Sequence, residues 1–212
     1  MVELALRAVI FDYGMVLSGS PDPKAHAELV RIAGLPAERL DPLYWADRLD
    51  FDAGTVTGHE FWRKIAREAG LNLDETAIDE LAHWDARMWM TVNEGMLRWQ
   101  QELKAQGVRT AIISNLGDTV HKAMAHEFKW LSQFDLLVWS YQLRLVKPDA
   151  AIYRYALEKL GVRPEEALFI DDKQANVDAA TRMGMKGVVF STVERLRADL
   201  IAQGLDRELP LP

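Results

Sequence analysis

Cysteine is missing from the chain altogether, which excludes a disulfide framework and any thiolate metal site and fits a reducing compartment. A cytoplasmic location is the expectation. Long apolar runs are missing too, since no uncharged stretch approaches the ~20 residues that a membrane-spanning helix needs. The start, MVELALRAVIFDYG, carries an acid at Glu3, and its apolar run stops at Asp12. It has none of the basic start, long apolar core and small-residue cleavage site of a secretory leader. Basic runs are absent as well, and a net charge of -7 lacks the electrostatic footprint of a phosphate-backbone binder. Neither nucleic acid nor a membrane is expected as a partner. The five histidines show no ligand spacing; His121 and His126 do not share a helix face, so a transition-metal centre is not expected.

What is present is the composition of an ordinary globular protein, 49% hydrophobic and 27% charged over 212 residues. That is enough chain for one large domain or two small ones. Three short apolar runs each end in a polar cluster: AVIF before Asp12, TAIISN from Thr110, and ALFIDD from Ala167. Weaker runs, DLLVWS and GVVFS, follow the same pattern. Runs of this length rich in Ile, Val and Phe, alternating with longer amphipathic stretches, predict an α/β doubly wound parallel sheet.

The stretch GMLRWQQELKAQG places Met96, Leu97, Trp99 and Leu103 at helical spacing, with Asn93 as a cap before it and Gly107 as a stop after it. DAAIYRYALEKLG repeats the design, with Ile152, Tyr155, Ala156 and Leu160 expected on one face and Gly161 after its end. Residues 18–92 hold helical patterns and four tryptophans but no comparable strand run. They read as an inserted helical cap domain, with 1–17 and 93–212 forming a Rossmann-like core. Three of those tryptophans are expected in the cap's own core and one against a substrate pocket.

In an open α/β sheet, ligands bind beyond the carboxyl ends of the strands, near the point where strand order reverses. The polar ends of the three main strands are therefore expected to converge, bringing together Asp12, then Ser114 and Asn115, then Asp171 and Asp172. Lys147, in LVKPDAAIY, sits on a loop leading into a helix and can reach the same edge. Carboxylates, a hydroxyl and one lysine suit Mg²⁺-assisted attack on a phosphoryl group. Asp12 can act as both ligand and nucleophile, with Lys147 and Ser114 stabilising the phosphoryl oxygens. Each residue also has a plainer reading. Asp12 can be a turn residue, Ser114 and Asn115 can cap the next helix, Asp171 and Asp172 can form a turn, and Lys147 can be a surface lysine. Asn176 either supports the acids or lies on a helix surface.

Taken together, these stretches resemble the haloacid dehalogenase-like hydrolase superfamily, in the branch with a helical cap after the first strand. VIFDYGMVL is similar to its nucleophile loop, AIISN to its phosphate-binding serine loop, VKPD to its lysine motif and FIDDKQAN to its acidic metal motif. In the insert, FDAGTVTGHEFW resembles a segment of small-molecule phosphatases similar to glucose-1-phosphate phosphatase and the N-terminal phosphatase domain of soluble epoxide hydrolase. The resemblance implies Asp12 as nucleophile, and Ser114, Asn115 and Lys147 around the phosphate. It implies a Mg²⁺ site of Asp12, the Gly14 carbonyl and Asp172, with Asp171 beside them and Asn176 in support.

Gly14 is the departure, because most phosphatases of this family carry there a second aspartate that protonates the leaving group. Glycine keeps the carbonyl and loses the acid. A positioned general acid contributes roughly 10²- to 10⁴-fold, about 3–5 kcal/mol of barrier, which weakens an enzyme without abolishing it. Asp22 and His26, just downstream, are candidate replacements. The leading expectation is a Mg²⁺-dependent phosphatase acting on a small phosphorylated metabolite, a sugar phosphate among the candidates, as a monomer or homodimer. The alternatives are a 2-haloacid dehalogenase and a catalytically impaired member that binds a phosphorylated ligand or a protein.

Overall fold

The computed structural model describes residues 6–211; the first residues, Glu3 among them, lie outside the described residues. Strands β1 (Ala8–Phe11), β2 (Arg109–Ser114), β3 (Leu136–Trp139), β4 (Ala167–Asp171) and β5 (Lys186–Val189) form one sheet in the order β3-β2-β1-β4-β5. Every pairing is parallel. The chain builds outward from β1 through β2 to β3, then crosses to the other side for β4 and β5. The switch point lies beside β1, where a ligand crevice is expected in this topology.

The central strands β1, β2 and β4 are buried on both faces, which is why they read as unbroken apolar runs. Val9 and Phe11 face one layer, where Trp99 meets Phe11 edge-on at 5.7 Å. Ala8 and Ile10 face the other, with Ala156 and Leu160. Between the strands run α6 (Glu94–Ala105), α7 (Asp118–Glu127), α8 (Ser140–Leu143), α9 (Ala150–Leu160) and α10 (Gln174–Arg182), with α11 (Val193–Ala202) closing the chain. Asn93 caps α6 by accepting from the Met96 N–H, as its position predicts. On α9 the buried face differs from expectation: Tyr153 is fully buried and Tyr155 only partly. Tyr153 packs edge-on against Phe169 at 5.3 Å and its hydroxyl donates to the Asn176 carbonyl, an acceptor that periodicity alone does not reveal.

Between β1 and α6 lie five helices: α1 (Pro23–Ala33), α2 (Ala37–Ala46), α3 (Arg48–Asp52), α4 (Gly58–Glu68) and α5 (Glu75–Met88). They pack about their own apolar cluster, which includes Leu29, Phe61, Trp62 and Leu81. Side-chain caps start three of them. Asp22 accepts from Lys24 N–H, Asp74 from Ala77 N–H, and Thr57 forms a reciprocal capping box with Glu60.

These helices are seated closely on the sheet's carboxyl edge. A Cβ at Gly54 would lie 2.4 Å from the Tyr141 carbonyl oxygen, and one at Gly117 only 2.0 Å from the Phe51 ring. The Ser140 hydroxyl donates to the Asp52 carbonyl at 2.5 Å, and the Gly58 N–H donates to Asp118 at 2.9 Å. The FDAG stretch is thus wedged between the loops after β2 and β3.

Candidate active site

Asp12 follows the last residue of β1, and its N–H donates to the Ile170 carbonyl of β4 at 2.8 Å. The next residues coil tightly. Gly14 is extended (φ -60°, ψ 129°), and Met15 takes a left-handed conformation at φ 60°. Its N–H donates to the Ser18 hydroxyl at 2.8 Å. A left-handed residue other than glycine costs of order 1–2 kcal/mol, and such strain concentrates at working sites. Tyr13 anchors the turn to the end of the inserted helices, its hydroxyl donating to the Trp89 carbonyl at 2.5 Å. The Tyr13 N–H donates to Asp12 Oδ1 at 2.6 Å, which fixes the carboxylate's orientation.

From the end of β2, Ser114 is buried and lines the same cavity as Asp12. Asn115 next to it lines the cavity too, but its amide is occupied: Nδ2 donates to the Lys147 carbonyl at 2.9 Å, and Oδ1 accepts the Lys147 N–H at 2.8 Å. Asn115 therefore clamps the lysine loop, a positioning contact that the sequence reading did not foresee. Lys147, which precedes a cis peptide to Pro148, is delivered into the buried centre. Its Nζ lies 2.8 Å from Asp12 Oδ1 and 2.6 Å from Asp171 Oδ2.

The two adjacent acids after β4 have different surroundings. Asp171 is fully buried and accepts from Lys147 Nζ, from the Lys173 N–H at 2.8 Å, and from Asn176 Nδ2 at 2.9 and 3.0 Å. Its lone pairs are largely used. Asp172 is half-buried and turned into the cavity, with no hydrogen-bonded side chain among the described residues. One carboxylate oxygen each from Asp12, Asp171 and Asp172 lie within 4.8 Å of one another. All three are hard oxygen donors, so the chemistry of the set fits Mg²⁺ and offers nothing to a soft metal. By hydrogen-bond count Asp12 and Asp172 are the available ligands and Asp171 their support.

Electrostatics reinforce that picture. Burial pushes the Asp12 carboxyl up to about 7, with Lys147 opposing and the Asp171 and Asp172 charges adding to the rise. Burial, then Asp171, also raises Asp172. For Lys147, burial works against the ammonium, yet Asp12 and Asp171 together hold it above its usual range. Three acids facing one lysine leave an excess of negative charge, which a divalent cation would neutralise.

Above this floor is a cavity of about 260 Å³ whose other wall belongs to the inserted helices. Trp45 and Trp89 form its apolar side, while Arg48 and Asp52 form a polar one. Arg48 Nε donates to Asp52 Oδ1 at 3.0 Å, and its Nη1 lies 3.3 Å from Asp85 Oδ1. Tyr44 also donates to Asp85, at 2.7 Å. Asp22 and His26 are elsewhere. Asp22 caps α1, and His26 pairs with Asp41 at 2.7 Å beside a neighbouring cavity. Two tryptophans line the site rather than the one expected, and Trp62 lies in the helical core. The sequence reading missed Arg48 and Asp52; Asp52 stands in the quoted FDAGTVTGHEFW stretch, where its spacing carried no chemical signal.

A fold with this sheet order and acidic, lysine-bearing strand ends defines a class of α/β hydrolases. Residues 6–184 match the model of the haloacid dehalogenase-like hydrolase family, and the chain belongs to that family. It is 29% identical to bifunctional epoxide hydrolase 2 of Mus musculus over 99% of this chain but only 41% of that protein. The chain thus spans less than half of that relative. Phosphatase MT3486 of Mycobacterium tuberculosis is 28% identical over 93% of both chains. (S)-2-haloacid dehalogenase 4A of Burkholderia cepacia is 26% identical over 87% of this chain and 82% of its own. Among solved structures, an enzyme of the same family from Bacteroides thetaiotaomicron, in complex with magnesium and inorganic phosphate, matches with a TM-score of 0.74. It covers 90% of this chain and 98% of its own at 20% identity, a likeness of fold.

Proposed function

We propose that this family member is a Mg²⁺-dependent phosphatase that hydrolyses a small phosphorylated metabolite through a phosphorylated Asp12, with residues 18–92 acting as its cap. The observation that carries the reading is the meeting of Asp12, Asp172 and Lys147 at one buried edge, with Lys147 Nζ 2.8 Å from Asp12. Asp12 attacks phosphorus, and Lys147 offsets charge on the phosphoryl oxygens while Ser114 donates a hydrogen bond to one of them. The Asn115 clamp holds Lys147 in place. Asp12, Asp172 and the Gly14 carbonyl would hold Mg²⁺, which would supply electrostatic neutralisation of the phosphoryl group. The cavity's tryptophans favour leaving groups with an apolar or ring face, sugars included.

The dehalogenase relative keeps a second reading open, but Asp172, turned open into the cavity, has no role in a metal-free displacement at carbon. Phosphate release from aryl or anomeric phosphates and from alkyl phosphates, with Mg²⁺, with EDTA and with Asp12→Asn, tests the proposal. Metal-dependent release that disappears in the variant supports it. Chloride release from a haloacid in EDTA, with no phosphate released, would replace it with the dehalogenase reading.

A further inference from the structure

Gly14 leaves the nucleophile loop without a proton donor, yet an alkoxide leaving group needs one. Among the described residues lining the catalytic cavity, three carry carboxyl groups: Asp12, Asp52 and Asp172. On the reading above Asp12 is the nucleophile and Asp172 would hold the cation. We infer that Asp52, delivered from the inserted helices, protonates the leaving group and then takes the proton from the attacking water. This rests on the phosphatase reading above and names the group that completes it.

Three observations support the assignment. Asp52 is held in place by the docking seam: its carbonyl accepts from Ser140, and its neighbours Phe51 and Gly54 press on Gly117 and Tyr141. Its carboxyl has one oxygen committed and one free, with Oδ1 accepting from Arg48 Nε and Oδ2 bonded to no group among the described residues. Its burial favours holding a proton, and the nearby cations that oppose this are shared. Arg48 is a single cation shared between Asp52 and the fully buried Asp85, so it cannot neutralise both carboxylates. Lys173 approaches from the core side. Burial raises the Asp52 carboxyl above its usual range, against the pull of Arg48. Once the proton is given up, Arg48 is already in place to stabilise the carboxylate.

The steps balance. As an Asp12 oxygen forms its bond to phosphorus, the bond from phosphorus to the leaving oxygen breaks, and that oxygen takes the Asp52 proton. Water then attacks the phosphoryl group and gives its proton to the Asp52 carboxylate. The Asp12–phosphorus bond breaks, and phosphate, the Asp12 carboxylate and protonated Asp52 are restored.

The test is rapid-quench kinetics of the Mg²⁺-loaded protein on 4-nitrophenyl phosphate and on an alkyl phosphate, for wild type, Asp52→Asn and Asp52→Asn/Gly14→Asp. A nitrophenolate leaves without help, whereas an alkoxide does not. Asp52→Asn is expected to slow the alkyl burst by roughly 10²- to 10⁴-fold and to change the nitrophenol burst by less than about 5-fold. Steady-state turnover falls for both, because water attack loses its base. Gly14→Asp is expected to recover part of the alkyl burst, since nothing lies within 4 Å of a Cβ at Gly14. Equal slowing of both bursts would make Asp52 a merely structural partner of Arg48 and overturn the inference, as would no slowing at all. If Asp52→Asn does not fold, Asp52→Glu serves, with a selective loss of the alkyl burst supporting the inference and an equal loss refuting it. A wild type inactive on both substrates would instead remove the phosphatase reading itself.

Discussion

Lys147 Nζ lies 2.8 Å from Asp12 Oδ1 at the centre of the site, and the lysine side chain is only 1% exposed. A charge so far from water persists because two carboxylates face it. Removing one member of a buried pair leaves the others uncompensated, which typically costs about 3–5 kcal/mol. Lys147→Met is expected to lower the unfolding free energy, read from denaturant curves in EDTA, by that order, and to abolish phosphate release in Mg²⁺. Lys147→Arg is not expected to restore activity, because a forked guanidinium cannot replace a point charge in a site this enclosed. An unchanged midpoint would show that the lysine and the acids are not electrostatically coupled.

The carboxylate excess predicts stabilisation by the cation. Mg²⁺ binds only the folded state, so at a hundredfold excess over its Kd it should add about 2.7 kcal/mol. Thermal unfolding with and without Mg²⁺ reads this directly, without any substrate. Asp172→Asn should remove most of the shift, since Asp172 is the acid with open coordination. Equal shifts in both proteins would place the cation elsewhere.

The seam between the inserted helices and the core predicts a conformational phenotype. Gly54 has φ +68°, and a Cβ there would meet the Tyr141 carbonyl at 2.4 Å. Gly54→Ala therefore adds backbone strain of about 1–2 kcal/mol together with a steric clash. The helices are expected to lift from the core, raising KM and increasing hydrogen exchange in residues 18–92. Wild-type protection in that segment would show that the seam is not tight.

His121 makes a contribution of definite sign to the pH dependence of stability, opposite to that of the raised Asp12 carboxyl. Burial lowers its pKa below the ordinary 6.5, and its Nδ1 lies 2.8 Å from the Tyr141 hydroxyl. At this group the unfolded state then binds more protons in this window, so the His121 contribution to stability rises with pH. The destabilisation begins as pH falls through 6.5 and is complete once pH passes below the folded-state pKa. The difference in melting temperature between His121→Gln and wild type should shift in the variant's favour as pH is lowered from 7 to 5. Parallel curves would remove His121 as the cause.

Much of the fold was legible along the chain, because strands buried on both faces must be continuous apolar runs. AVIF, TAIIS and ALFID could hardly be solvent-facing. The three polar strand ends were legible for a related reason: adjacent acids after a buried strand need a partner, and the topology brings those ends together. On α9 the expected Ile152, Ala156 and Leu160 face inward, but Tyr153 replaces Tyr155 there, because it is drawn in by an edge-on ring and a carbonyl that periodicity does not encode.

The sequence by itself determined the family, the parallel sheet and the identity of the acids, lysine and serine at its edge, since local apolar patterning and residue order set these. Only the tertiary structure decided how those groups divide the work. Asn115 grips the lysine loop, Asp171 is saturated while Asp172 stays open, and a carboxyl 40 residues from Asp12 comes to share its cavity. Such assignments depend on which lone pairs remain free and which charges share a cation, and these are properties of packing across distant segments.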